Sequence, residues 1–163
     1  MKYILITITL LGLTGCFPRM QNKIPAVELQ VVDANSSKAL VGVLSSESIE
    51  SDEFGKIDMP VKRELGIALP VSGVYVIHRR FAVGKKGYVS QVCECNSLTI
   101  HAKCEPYTLK LNSSKSNDEV TVQSLKDLVE LSKKRFYDKP NPYALSLYHN
   151  NEVACSGDKI LLF

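Results

Sequence analysis

Cys93, Cys95, Cys104 and Cys155 are the residues of this chain whose type and spacing best suit chemistry. Two chemistries fit them. A Cys-x-Cys pair with two further thiols, and His101 between Cys95 and Cys104, supplies the ligand types of a zinc site, although zinc sites favour a wider Cys-x₂₋₄-Cys spacing. In an exported chain an even cysteine count reads instead as disulfides. Export is signalled at the N-terminus. Lys2 precedes an uncharged apolar run over residues 4–13, and Thr14 and Gly15 are small residues just before Cys16, the pattern of a secretory signal. The run is about half the ~20 residues a membrane-spanning helix needs. Two disulfides and no metal are therefore expected. Cys93 and Cys95 point to the same side of a strand, and a ring joining them would be very tight. One of the pair must then bond Cys104 and the other Cys155. Cys95–Cys104 closes a short loop within hairpin reach, which leaves Cys93–Cys155 as the second bond.

Little else has the spacing of a catalyst. No stretch matches G-x-S-x-G, H-E-x-x-H, a P-loop or G-x-G-x-x-G. His78, His101 and His149 are scattered. Cys155 and His149 have the types of a nucleophile and its base, but the disulfide uses Cys155. Glu47, Glu50, Asp52 and Glu53 lack the dense Asp/Asn/Gly spacing of a calcium loop and read as a solvated acidic turn. His78, Arg79, Arg80, Lys85 and Lys86 place five basic or titratable groups around one strand and turn. They form the candidate binding patch, suited to anionic lipid heads, polysaccharide phosphate or an acidic protein surface. The plainer reading is an edge strand kept soluble by charge. No catalytic residue, cofactor or metal is expected, and the chain does not read as an enzyme. A net charge of +3 over 163 residues gives no strongly basic surface for a nucleic-acid partner.

The elements that must carry these residues come next. Removal of residues 1–15 leaves 148 of the 163, enough for one domain with an appendage. Residues 16–25 have two prolines and no period, and read as a tether. Strands are predicted at 27–31, 39–44, 54–59, 73–83, 88–93, 98–101 and 107–111, separated by turn clusters at 33–38 and 84–87. Short strands at regular spacing predict a sandwich over 26–112 rather than a parallel α/β sheet. Residues 113–163 change period. Val122, Leu125, Leu128, Val129, Ser132 and Phe136 fall on one helical face, with Ser116 and Glu119 spaced as a capping box and a start near Gln123. Pro140 and Pro142 end the helix. Residues 143–148 and 152–155 flank a turn at His149 as a terminal hairpin, and 159–163 close the chain as a last strand. The apolar helix face is expected on the sandwich; a partner-binding helix is the sharper alternative.

Leu13-Thr14-Gly15-Cys16 resembles the lipobox of bacterial lipoproteins. The resemblance implies cleavage before Cys16 and acylation of that residue, so that the lipid anchors the mature chain to a membrane. Phe17, standing where Asp commonly signals inner-membrane retention in that family, implies the outer membrane. Residues 27 to about 111 look like a transthyretin-like sandwich of the carboxypeptidase regulatory-domain kind. The matching features are Val31-Val32-Asp33, then Ala39-Leu40-Val41-Gly42-Val43, then Ser51-Asp52-Glu53-Phe54-Gly55-Lys56, then Gly87-Tyr88. Ser51 stands where Thr is usual, and the cysteines and the helix lie outside the pattern. This resemblance implies a seven-strand sandwich used as a binding or accessory module. The expected function is that of an outer-membrane-anchored, periplasm-facing lipoprotein that binds an envelope protein without catalysis. The alternative is an inhibitor or immunity lipoprotein that occludes an envelope-acting toxin or hydrolase.

Overall fold

The computed structural model describes residues 17–68, 75–115, 118–138 and 151–156. In chain order its strands are β1 (Phe17–Ile24), β2 (Val27–Asp33), β3 (Leu44–Ser45), β4 (Lys56–Met59), β5 (Lys62–Ala68), β6 (Val76–Gly84), β7 (Gln91–Leu98), β8 (Tyr107–Leu111) and β9 (Val153–Cys155). Among the described residues one helix, α1 (Val122–Asp138), lies between β8 and β9. The strands form a three-stranded sheet in the order β4-β2-β8, a four-stranded sheet in the order β3-β6-β7-β9, and a two-stranded ribbon of β1 and β5. All pairs are antiparallel except β2–β8.

Period-two alternation builds the core. Val27, Leu29 and Val31 turn inward from β2, with Ile57 and Met59 from β4 and Leu109 and Leu111 from β8. They meet Phe81 and Val83 of β6, Cys93 and Cys95 of β7, and Val153 and Cys155 of β9 in one apolar cluster. The chain is mainly β, and two sheets sharing one core is the arrangement of a β-sandwich. The outer face of the four-stranded sheet is covered by α1, whose Leu125 and Val129 bury Ala82. A Cβ at Gly84 would lie 3.0 Å from Val120 Cγ1 and 3.1 Å from Leu125 Cδ2, so the glycine lets the helix end approach the sheet.

The start of α1 is set by a reciprocal cap. Thr121 Oγ1 accepts from the Ser124 N–H at 3.1 Å, and Ser124 Oγ accepts from the Thr121 N–H at 3.0 Å. The pair is a capping box with Ser in the Glu position, and it begins the helix one residue before the expected Gln123. Ser116 of the predicted box lies outside the described residues. So do Cys16, His149, residues 143–148 and 159–163, and the side chain of Phe136. Only the second strand of the expected terminal hairpin is therefore described, as β9, and it pairs with β7.

Three expectations are corrected. Residues 17–24 are a strand, not an irregular tether, because β5 supplies a partner seven residues long. Residues 39–44 are not a strand; Gly42 takes φ +67° and turns the chain, leaving only Leu44 and Ser45 to pair with β6. Residues 98–101 close a tight turn, in which the N–H groups of His101 and Ala102 both donate to the Leu98 carbonyl, at 3.0 and 2.9 Å.

The two turns that carry the sandwich resemblance are built from their own side chains. Asp33 Oδ1 accepts from the N–H of Asn35 and of Ser36, at 3.0 and 2.6 Å. Asp52 Oδ1 accepts from the N–H of Phe54 and of Lys56, at 2.9 and 2.7 Å. Gly55 there takes φ +76°, and a Cβ would meet the Val31 carbonyl oxygen at 2.6 Å, so only glycine fits.

Candidate functional site

The four cysteines are paired and buried. Cys93 stands opposite Cys155 in the β7–β9 register and is bonded to it, and Cys95 is bonded to Cys104 across the turn that follows β7. No thiol among these four is left to ligate zinc. Among the described residues no three His, Cys, Asp or Glu side chains converge as a metal site. His101 is exposed in the turn between Cys95 and Cys104.

The predicted basic patch is not one surface. β6 alternates, so His78 is exposed while Arg79 turns inward with Ile77, Phe81 and Val83. Arg80 points outward and is held by Glu94 Oε2 on β7, at 2.7 Å from Nη2 and 3.1 Å from Nε. Lys85 Nζ donates to the Val41 carbonyl, and Lys86 is exposed on the turn after β6. The acidic group divides too, because Glu47 leaves the solvated turn to meet Arg79.

That meeting sits where the ribbon joins the sandwich. The Arg79 side chain is 1% exposed, and its Nε and Nη2 donate to Glu47 Oε1 and Oε2, both at 2.7 Å. Its Nη1 donates to the carbonyls of Pro25, Met59 and Pro60, at 2.8, 3.1 and 2.9 Å. Pro25 follows β1; Met59 and Pro60 immediately precede β5. One guanidinium thus gathers both roots of the ribbon, and its planar fork suits the bidentate carboxylate. Glu47 also takes Lys62 Nζ, at the first residue of β5, at 2.7 Å. Burial raises the Glu47 pKa, but the hydrogen bonds from Arg79 and Lys62 outweigh it and hold the carboxyl below its usual value.

The ribbon that this node positions carries an exposed apolar pair and several basic side chains. β1 and β5 pair along their length, with Met20 directly opposite Leu65. These two side chains are 57% and 71% exposed. Arg63 pairs across from Asn22 on the same ribbon face and donates from Nε to Asn22 Oδ1 at 3.0 Å. Arg19, Lys23 and Lys62 are exposed on the same ribbon, where Glu64 is the one acidic residue of the two strands. Beyond the Arg79 node the ribbon is tied by two side chains. Asn22 Nδ2 donates to the Thr99 carbonyl at 2.8 Å, and Tyr75 Oη donates to Gln21 Oε1 at 3.3 Å.

Elsewhere among the described residues a shallow recess of about 150 Å³ lies beside β2 and β8, lined by Glu28, Gln30, Lys56 and Tyr107 among others. Lys103 Nζ pairs with Glu28 there at 2.9 Å, and that hydrogen bond holds the Glu28 carboxyl below its usual pKa. The ribbon residues escaped the sequence reading because Lys62–Ala68 shows no alternation of its own. A signal for Arg79 did exist: it shares the period-two parity of Ile77, Phe81 and Val83, three apolar residues of one face.

No protein-family model, curated protein or solved structure matches this chain.

Proposed function

We propose that this chain is a lipid-anchored lipoprotein of the bacterial cell envelope, facing the periplasm from the outer membrane, whose β-sandwich serves as a non-catalytic protein-binding or accessory module. The observation that carries the reading is Leu13-Thr14-Gly15-Cys16 at the end of a short apolar run, followed by a domain whose four cysteines are all in disulfides. Disulfides persist in oxidising compartments such as the periplasm, which fits export past the inner membrane. Phe17 in place of Asp favours the outer membrane. The Asp33 and Asp52–Gly55 turns and the two facing sheets support a transthyretin-like, seven-strand sandwich, a scaffold used for binding.

Mass spectrometry of the mature protein tests the anchor: Cys16 should be the acylated N-terminus, and Cys16→Ala should leave an uncut precursor. A soluble mature form cut elsewhere overturns the reading. Crosslinking in cells from exposed positions of the sandwich should capture a discrete envelope protein, and turnover of a substrate lost on a single side-chain change would overturn the non-catalytic assignment.

A further inference from the structure

We propose that the β1–β5 ribbon is a second membrane contact: it lies on the anionic bilayer surface beside the lipid anchor and holds the sandwich against the membrane in one orientation. The proposal rests on the acylation of Cys16. Three observations carry it.

The first is reach. β1 begins at Phe17, one residue past Cys16, so no tether separates the anchor from folded structure. A chain spans at most ~3.3–3.6 Å per residue, so Met20 stands within roughly 14 Å of an acylated Cys16. Met20, and Leu65 paired with it, therefore stay within reach of the bilayer surface while the acyl chains are inserted.

The second is chemistry. Met20 and Leu65 form an exposed apolar pair in direct register. Apolar side chains flanked by basic ones are the composition of surfaces that seat at the interface between headgroups and acyl chains. Arg63 shares the face of Met20 and Leu65, and Arg19 and Lys23 lie on the same narrow ribbon; against Glu64, and with Lys62 held by Glu47, these three give the ribbon a charge opposite to that of phosphatidylglycerol or cardiolipin. Each basic residue near an anionic surface favours the seated state roughly fivefold.

The third is rigidity. The Arg79–Glu47 node fixes both ribbon roots to the sandwich. A seated ribbon therefore orients the whole domain, which a flexible leash does not do.

The test uses the full mature protein, acylated in cells and reconstituted into vesicles of phosphatidylethanolamine with phosphatidylglycerol. A fluorophore is placed on Leu65→Cys or, as the comparison, on Phe54→Cys, which is 67% exposed at the far end of β4 from the ribbon. Lipids brominated along their chains should quench the label at position 65 and leave the one at 54 bright. Quenching at 65 should weaken in vesicles without phosphatidylglycerol. It should also weaken in the triple variant Arg19→Glu, Lys23→Glu, Arg63→Glu, which stays acylated and leaves the Arg79 node untouched. Equal quenching at both positions, or quenching indifferent to both lipid and protein charge, overturns the proposal. So does protection of Leu65 in cells without quenching on vesicles, which assigns the ribbon to a protein partner. The intact mass of the same preparation reports acylation, so failure of the anchor is read separately from failure of the ribbon.

Discussion

An arginine almost wholly removed from water is tolerated only when its charge is paired and each of its nitrogens is hydrogen-bonded, and Arg79 meets both conditions through Glu47 and the carbonyls of Pro25, Met59 and Pro60. Removing one partner of such a pair leaves the other uncompensated, at a cost of roughly 3–5 kcal/mol. Arg79→Met should therefore lower stability in denaturant unfolding by about 3 kcal/mol, the low end because Glu47 keeps some contact with water. It should also raise amide exchange in β1 and β5 before the sandwich strands. A loss spread evenly over all strands would show that the node does not single out the ribbon. The same pair sets an acid limb. The folded Glu47 pKa is depressed, so its contribution is complete above the ordinary value of 4.5 and is lost as pH falls below it through the folded value. Glu28 is held low by Lys103, and Asp33 by the Ser36 N–H, so the limb is shared. Glu47→Gln should make the fall in melting temperature below pH 4.5 shallower without abolishing it; an unchanged slope would exclude Glu47 from the limb.

At the scale of elements, the two disulfides constrain unequally. Cys93–Cys155 spans 62 residues and Cys95–Cys104 spans 9. Chain entropy gives roughly 4 kcal/mol for the longer loop and roughly 3 kcal/mol for the shorter. β9 is three residues long and joins the sandwich only along β7 in the described sheets. Cys155→Ser should therefore lower the melting temperature more than Cys104→Ser and release β9 first in hydrogen exchange; the reverse order would place more strain relief than entropy in the long bond. Both cysteines of β7 face inward, as their alternation required, and β8 begins and ends at the predicted residues 107 and 111. Elements with strong internal periodicity were legible because the core reads that periodicity directly. β1 and β5 were not legible. Each mixes polar and apolar residues along the strand, Pro18 and Pro25 obscure the first, and each is a strand only because the other supplies its hydrogen bonds. Residues 39–44 erred the other way. Their apolar run looks continuous, yet Leu40 and Val43 are buried while Val41 is exposed, a spacing that follows the Gly42 turn rather than a pleat. Arg79 shows the same limit at the site: composition grouped it with its basic neighbours, whereas parity along β6 separates it from them.

For the whole molecule, the decisive dimension is the distance between the proposed anchor and the start of β1. With β1 starting at Phe17, the proposed acyl chains and the ribbon would act as two linked binding modules, and the second would seat at an effective concentration set by the link. Lengthening the link separates the two contributions. About ten Gly/Ser residues inserted between Cys16 and Phe17 give a coil of roughly 17 Å r.m.s. length. The insertion lies outside the sandwich core and the Arg79 node, so the melting temperature should not change. If proximity alone kept the ribbon near the bilayer, quenching at position 65 would fall to the level at Phe54. On the proposed reading Met20, Leu65, Arg19, Lys23 and Arg63 have interfacial affinity of their own, so quenching in the lengthened protein should fall only part of the way. The remainder should disappear when phosphatidylglycerol is withdrawn or when salt screens the surface charge. In the unaltered protein, the short link should keep a measurable part of the signal under those same conditions. Measured in parallel on acylated protein of both lengths, the residual quenching assigns to the leash what the leash enforces and to the ribbon what its own residues bind.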